Sequence, residues 1–375
     1  MKIVFASDSF KGSLSCQQIN AILQKTAEKV FENCQTVPLL ISDGGEGALD
    51  AIVSYKGGKI ENATVNDPLF RPINARFGVL NDVAVISMSE ASGLPLLLES
   101  ERNPLNTTTY GTGQLIKLAV EKGYKKLYVT IGGSATNDGG IGALTALGVK
   151  FIKKDGNVAK GVGSELEDIV EIDDSALSNY SDLQVTVLCD VTNPLTGELG
   201  ATRVFGKQKG ANKEIADRLE NGMLNYKSVL DKKYSINSQS IVGGGAAGGL
   251  GTALKVFLGG KMQSGIDAML DLADFDDAID GASFVVTGEG RIDSQSVGGK
   301  VISGILKRTS AKKIPTFAIV GSVGNGAETA YELGLCGIYS LIDTPSSLDE
   351  ILKNSQTLYA KTAESLFRTI KSLIK

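Results

Sequence analysis

Short apolar runs along this chain end in turns crowded with glycine, small polar residues and acids, and these turns pass straight into helix-like stretches. The densest case is Val129 to Gly148, VTIGGSATNDGGIGALTALG. It reads as a buried strand over Leu127 to Ile131, a polar turn, and then a helix of small residues. Paired glycines at 132–133 and 139–140 permit positive φ and close backbone approach. Ser134, Thr136 and Asn137 add short donors, and Asp138 adds a carboxylate. Free N–H groups at a helix start suit an anion, because orphan donors and the helix dipole both favour negative charge. The competing explanation is a tight turn whose glycines serve backbone geometry alone.

The same rhythm orders the ends of the chain. Lys2–Phe5 is a short strand, followed by SDSFKGSLS and a helix that a Ser15/Gln18 capping box opens. Its apolar stripe runs Ile19, Ile22, Leu23, Ala27, Val30, Phe31. Val37–Ile41 is the next strand, ending at Ser42-Asp43-Gly44-Gly45-Glu46-Gly47, with a helix through Ala51–Ser54. After about Asp280 the pattern returns: strands at Ser283–Thr287, Thr316–Val320 and Ile338–Ile342, a helix over Val301–Lys307, and a final helix capped by Ser347 and Glu350. Alternating strands and helices specify a parallel, doubly wound sheet, which places ligands at its carboxyl edge.

Between these ends the rhythm changes. Ile60–Val65, Ile73–Leu80 and Val83–Met88 follow one another across turns with no helix between them, which predicts antiparallel pairing. A helix near Gln114–Glu121, a strand at Val185–Cys189 and a charged helix over Ile215–Leu230 follow. At 375 residues one core is an uncomfortable fit. The expected architecture is therefore α/β with two domains. Residues 1–58 and 280–375 form a Rossmann-like domain with a doubly wound parallel sheet, and residues 59–279 an inserted α/β domain with antiparallel strands.

Histidine is absent from the whole chain. Any general base must then be Asp, Glu, Lys, Cys or Tyr, and any metal a hard cation held by oxygen. The four cysteines, at 16, 34, 189 and 336, contain no C-x-x-C and read as reduced thiols. A net charge of −4 and the absence of Trp leave no basic footprint or stacking platform for nucleic acid. The chain enters a strand at once and has no apolar run of membrane-spanning length, so the expected location is cytoplasmic.

Several turns carry similar chemistry: Asp8/Lys11, Asp43/Glu46, Arg71, Gly132–Gly140, Asp190/Asn193, Lys207/Lys209 and Glu289/Arg291/Asp293. Each alone is more often a cap or a solvated turn. Together they supply the oxygen ligands and cationic clamps of phosphoryl transfer, which demands positioning and charge neutralisation. Gly299-Lys300 is followed by Val301, so there is no Walker A motif. A formal G-x-G-x-x-G at 243, 245 and 248 is a weak dinucleotide fingerprint, with the expected acid only loosely met by Asp267. Tight packing of a glycine-rich helix start accounts for it better.

Longer blocks narrow the reading. DSFKGSLS (8–15), SDGGEGALDA (42–51), NPLNTTTYGTGQLI (103–116), IGGSATNDGGIGALTALG (131–148), CDVTNPLTG (189–197), FGKQKGA (205–211), GGGAAGGLG (243–251) and TGEGRIDSQS (287–296) run end to end in order. The chain closely resembles the class I bacterial glycerate kinases. That resemblance implies ATP-dependent phosphorylation of D-glycerate with Mg²⁺, usually to 2-phosphoglycerate and in some members to the 3-phosphate, at an active site in the cleft between two domains. Strand-end position and residue type then suggest roles. Lys11 and Arg291 would hold the glycerate carboxylate or the transferring phosphate, with Asp8 and Arg71 as further substrate contacts. Asp190 would orient or deprotonate the hydroxyl. Asp43, Asp293 and Asp190 are the Mg²⁺ candidates. Gly132, Gly133, Ser134, Thr136, Asn137, Gly139 and Gly140 would cradle phosphates. A nicotinamide-dependent hydroxy-acid dehydrogenase and a small-acid-binding regulatory module explain fewer of these turns. No nucleic acid or membrane partner is expected, and the oligomeric state stays open.

Overall fold

Apolar β-branched runs and capped amphipathic helices assemble as local propensity demands. The computed structural model describes residues 1–10, 12–41, 49, 53, 58–293, 301–342, 344 and 346–373. In chain order the strands are β1 (Lys2–Ser7), β2 (Gln35–Pro38), β3 (Lys59–Asn66), β4 (Pro72–Leu80), β5 (Val83–Ser87), β6 (Lys126–Thr130) and β7 (Lys150–Lys153). They continue as β8 (Ile169–Asp173), β9 (Gln184–Leu188), β10 (Lys261–Gln263), β11 (Phe284–Ile292), β12 (Thr316–Val323) and β13 (Leu335–Ser340). Two compact units result: Met1–Gly44 with Gly265–Lys375, and Gly45–Ser264.

The first unit holds a five-stranded parallel sheet in the order β13-β12-β11-β1-β2. Renumbered within the unit, this is the flavodoxin-like order 2-1-3-4-5, whose reversal lies between β1 and β11. The helix Cys16–Val30 carries the Ser15/Gln18 capping box and buries Ile19, Leu23, Ala27 and Val30. That face joins Phe5, Phe284 and, from the helix Ser355–Leu373, Tyr359, Leu366 and Phe367 in one core. Each fully buried Leu or Phe of this kind stabilises by about 1.5–3 kcal/mol. A second core, with Ile302 and Leu306 of the helix Val301–Ala311, holds Ile292, Ala318 and Val320. Helices on both faces make the sheet doubly wound, as expected. The final helix splits: Ser347 and Glu350 cap Leu348–Lys353, and Ser355–Leu373 follows. The expected helix through Ala51–Ser54 lies outside the described residues.

The second unit is built on a six-stranded sheet, β10-β9-β6-β5-β4-β3. β10, β9, β6 and β5 are parallel, whereas β3, β4 and β5 pair antiparallel, so the antiparallel strands extend a mixed sheet. A separate β7–β8 hairpin was not evident in the sequence. β7 is four residues long and flanked by Lys, Asp and Gly, too short for a period to register. Its Phe151 packs edge-on against Tyr226 of the long helix Lys213–Tyr234, with ring centroids 6.1 Å apart. Among the described residues no helix is long and apolar enough to cross a membrane.

Candidate active site

In the first unit the strand ends at the order reversal carry the chemistry. Ser7 and Gly288 are register partners in β1 and β11, so Asp8 emerges beside Glu289. The Asp8 N–H donates to the Gly288 carbonyl (2.9 Å), and its Oδ1 accepts from the Ser9 N–H (2.6 Å). Glu289 is buried, whereas the Arg291 side chain is 65% exposed and its Nε lies 3.2 Å from Asp293 Oδ2. An open α/β sheet offers its binding crevice at this reversal. Lys11, Asp43 and Glu46 lie outside the described residues.

In the second unit β5, β6 and β9 are adjacent, and their carboxyl ends fall level: Ser87 pairs with Thr130, and Thr130 with Leu188. The sequence reading missed what this alignment creates. Thr130 Oγ1 donates to Ser87 Oγ (3.1 Å), which lies 2.9 Å from Ser89 Oγ, giving a chain of hydroxyls along the edge. Ser87 and Ser89 sit in SMSE, a stretch with no glycine to mark it, so only sheet register could reveal them. Beyond β6, Gly132 and Gly133 are exposed, and a side chain at Gly132 would meet open space. Beyond β9, Asp190 is exposed as well.

The rest of the 132–140 turn points inward. Ser134, Thr136, Asn137, Asp138, Gly139 and Gly140 are all buried. Asp138 accepts four hydrogen bonds: from the Thr109 N–H and hydroxyl (both 2.7 Å), the Gly140 N–H (3.0 Å) and the Gly142 N–H (3.3 Å). The short helix Ile141–Ala146 does have an anion at its start, but that anion is the protein's own carboxylate. Burial pushes the Asp138 pKa up, against the opposing effect of its four donors. The Gly139 N–H donates to the Gly248 carbonyl (2.8 Å), and Asn137 Nδ2 to Thr202 Oγ1 (2.9 Å). The exposed part of the turn is therefore Gly132–Gly133.

Of the glycines at 243–249, Gly248 and Gly249 meet this turn, whereas Gly243, Gly244 and Gly245 pack against Cys189, Ile241 and Pro194. Gly248 has φ of +68°, and a Cβ there would overlap the Thr136 carbonyl oxygen. This segment is a backbone-on-backbone buttress for the 132–140 turn, the tight-packing alternative to a dinucleotide fingerprint. Gly248→Ala should lower the unfolding free energy by about 3 kcal/mol, from strained φ plus overlap. Urea melts measure it, and an unchanged midpoint would return these glycines to a ligand role.

The remaining candidates scatter. Arg71 reaches the same carboxyl edge from the β3–β4 turn, but its guanidinium is held by Asp67 (2.6 Å) and Glu101 (2.6 Å). Asn193 Nδ2 donates to the Leu199 carbonyl (2.8 Å). Lys207 is exposed, whereas Lys209 is fully buried and donates to the Thr136 carbonyl (2.7 Å). Desolvation lowers the Lys209 pKa to about 7, partly opposed by the Asp138 charge. Among the described residues no three His, Cys, Asp or Glu side chains cluster to hold a metal.

Parallel sheets whose carboxyl ends carry hydroxyls, an exposed double glycine and acids have the architecture of an α/β enzyme. Residues 3–371 match the glycerate kinase family. A Bacillus cereus protein named glycerate kinase is 39% identical over 98% of this chain and 97% of its own length. An Escherichia coli protein named glycerate 2-kinase is 37% identical, covering 99% and 98%. A solved crystal structure from Salmonella typhimurium that carries a glycerate kinase name superposes with a TM-score of 0.89 at 37% identity, covering 99% and 98%. The chain belongs to the glycerate kinase family and is a phosphotransferase of that kind.

Proposed function

We propose that this enzyme transfers the γ-phosphoryl group of ATP to the 2-hydroxyl of D-glycerate, giving 2-phosphoglycerate and ADP. The observation that carries the product assignment is near-complete coverage by the relative named glycerate 2-kinase. In this reading Asp190 orients the hydroxyl and takes its proton as the oxygen attacks the γ-phosphorus, while the bond to the β-phosphate oxygen breaks. The exposed Gly132–Gly133 backbone, with the Ser87 and Ser89 hydroxyls beside it, supplies neutral donors to the phosphates. Arg291 offers the fork that matches the glycerate carboxylate, and Lys11 and Asp8 complete that end. Arg71 is assigned to the protein itself, because Asp67 and Glu101 already hold its guanidinium.

The donor set suits Mg²⁺: carboxylate oxygens are hard ligands, and one or two suffice when phosphates and water complete the octahedron. Asp293 and Asp43 would hold it, leaving Asp190 to the hydroxyl, and the ion would neutralise charge on the β- and γ-oxygens.

Incubation with ATP, Mg²⁺ and D-glycerate, followed by phosphorus and proton NMR of the product, tests the assignment. The expected product is 2-phosphoglycerate. Accumulation of the 3-phosphate would overturn the site of transfer, and NADH formation from hydroxy acids without ATP would overturn the reaction.

A further inference from the structure

We propose that Lys209 is a positioning residue for phosphoryl transfer: its ammonium, bonded to the Thr136 carbonyl, holds the inner half of the 132–140 turn so that Gly132–Gly133 keeps one geometry. The assignment rests on reading Gly132–Gly133 as the phosphate cradle.

Lys209 is 1% exposed, and its Nζ lies 2.7 Å from the Thr136 carbonyl oxygen. Lysine carries a strongly hydrated point charge, so placing it there costs several kcal/mol by desolvation. A methionine of similar length would fill the space without that cost, so the ammonium has a task beyond packing. The surrounding segment shows what that task is. Thr136 Oγ1 and Asn137 Oδ1 are buried without a hydrogen-bond partner, and Asn137 is tied only through its Nδ2, to Thr202. Two buried ionisable side chains hold the backbone itself. Asp138 collects the N–H groups on one side of the bend, and Lys209 takes the carbonyl on the other. Gly248 backs the same carbonyl, so the oxygen is gripped between a cation and a backbone that allows no side chain. The turn then runs from Thr136 back through Ser134, which bridges to Gly93, to the exposed pair. Fixing the far end of so short a segment fixes the near end, and phosphoryl transfer depends on such positioning.

The test compares wild type, Lys209→Met and the double variant Lys209→Met/Asp138→Asn in steady-state phosphorylation of D-glycerate, with urea melts alongside. Wild type is assayed first: no D-glycerate phosphorylation there would remove the proposed function and this assignment with it. With wild type active, Lys209→Met should lose at least about tenfold in kcat and raise the KM for ATP, while the KM for D-glycerate moves little. In the double variant an amide N–H₂ replaces one acceptor oxygen of Asp138, so the urea midpoint should fall below that of Lys209→Met while kcat stays low. Recovery of kcat in the double variant would show that Lys209 supplies charge balance alone, and the proposal would fall. It would also fall on unchanged kinetics in Lys209→Met, on a kcat loss that merely tracks the folded fraction, or on failure of both variants to fold.

Discussion

Asp190→Asn should lower kcat on the order of 10²–10⁴-fold, the range that a positioned general base contributes, with the urea midpoint unchanged. The stability half follows from position. Asp190 is exposed, two residues past β9, and neither core of the second unit includes it. The kinetic half follows from composition and topology together. With no histidine in the chain, a carboxylate is the natural group to take the hydroxyl proton near neutral pH. Asp190 is the acid that the β6–β9 alignment sets closest in register to the exposed glycines. Steady-state rates with saturating ATP and D-glycerate measure the effect. Turnover within a few-fold of wild type would take Asp190 out of the chemistry and leave the base to be sought elsewhere.

Asp138→Ala should cost about 4 kcal/mol of unfolding free energy, the largest loss expected from a single polar side chain here. Alanine would strand the Thr109 N–H and hydroxyl and the Gly140 and Gly142 N–H groups in a fully buried site. It would also leave the Lys209 ammonium without the opposite charge that partly offsets its burial. Chemical denaturation reads this directly. A loss below about 1 kcal/mol would mean that the turn finds other partners, and that the carboxylate is not its keystone.

These two aspartates show how far the sequence could be read. Both stand in glycine-bearing turns after apolar strands, and residue type and spacing treat them alike. What separates them is burial, which depends on neighbours distant in sequence: Thr109 closes over Asp138, while Asp190 is exposed. The strand-and-helix rhythm was legible because each element declares itself locally, as the capping boxes at Ser15 and Ser347 do. Arg71 looked like a substrate clamp because its partners lie four residues before it and thirty after it, and only the second could not be guessed. The Thr130–Ser87–Ser89 hydroxyl chain stayed invisible because Thr130 ends one strand while Ser87 ends another and Ser89 opens the short helix after it, about forty residues earlier in sequence. Gly248 was legible as one of a glycine run but not in its purpose, which needed the opposing backbone of Thr136 to be seen.

The pairing of β1 with β11 carries a consequence for how the chain is made. Thr287 bonds back to Ala6 across 281 residues, and Ile3, Val4 and Phe5 lose all exposure once that pairing is complete. At ~5–20 residues per second, on the order of 15–60 s separate synthesis of the two strands. Every strand of the six-stranded sheet lies between Lys59 and Gln263, so that sheet can close while its host is still missing a neighbour. β1 is thus made long before the strand that shelters it, and a slow or stalled translation leaves a sticky apolar ribbon waiting for a partner not yet born.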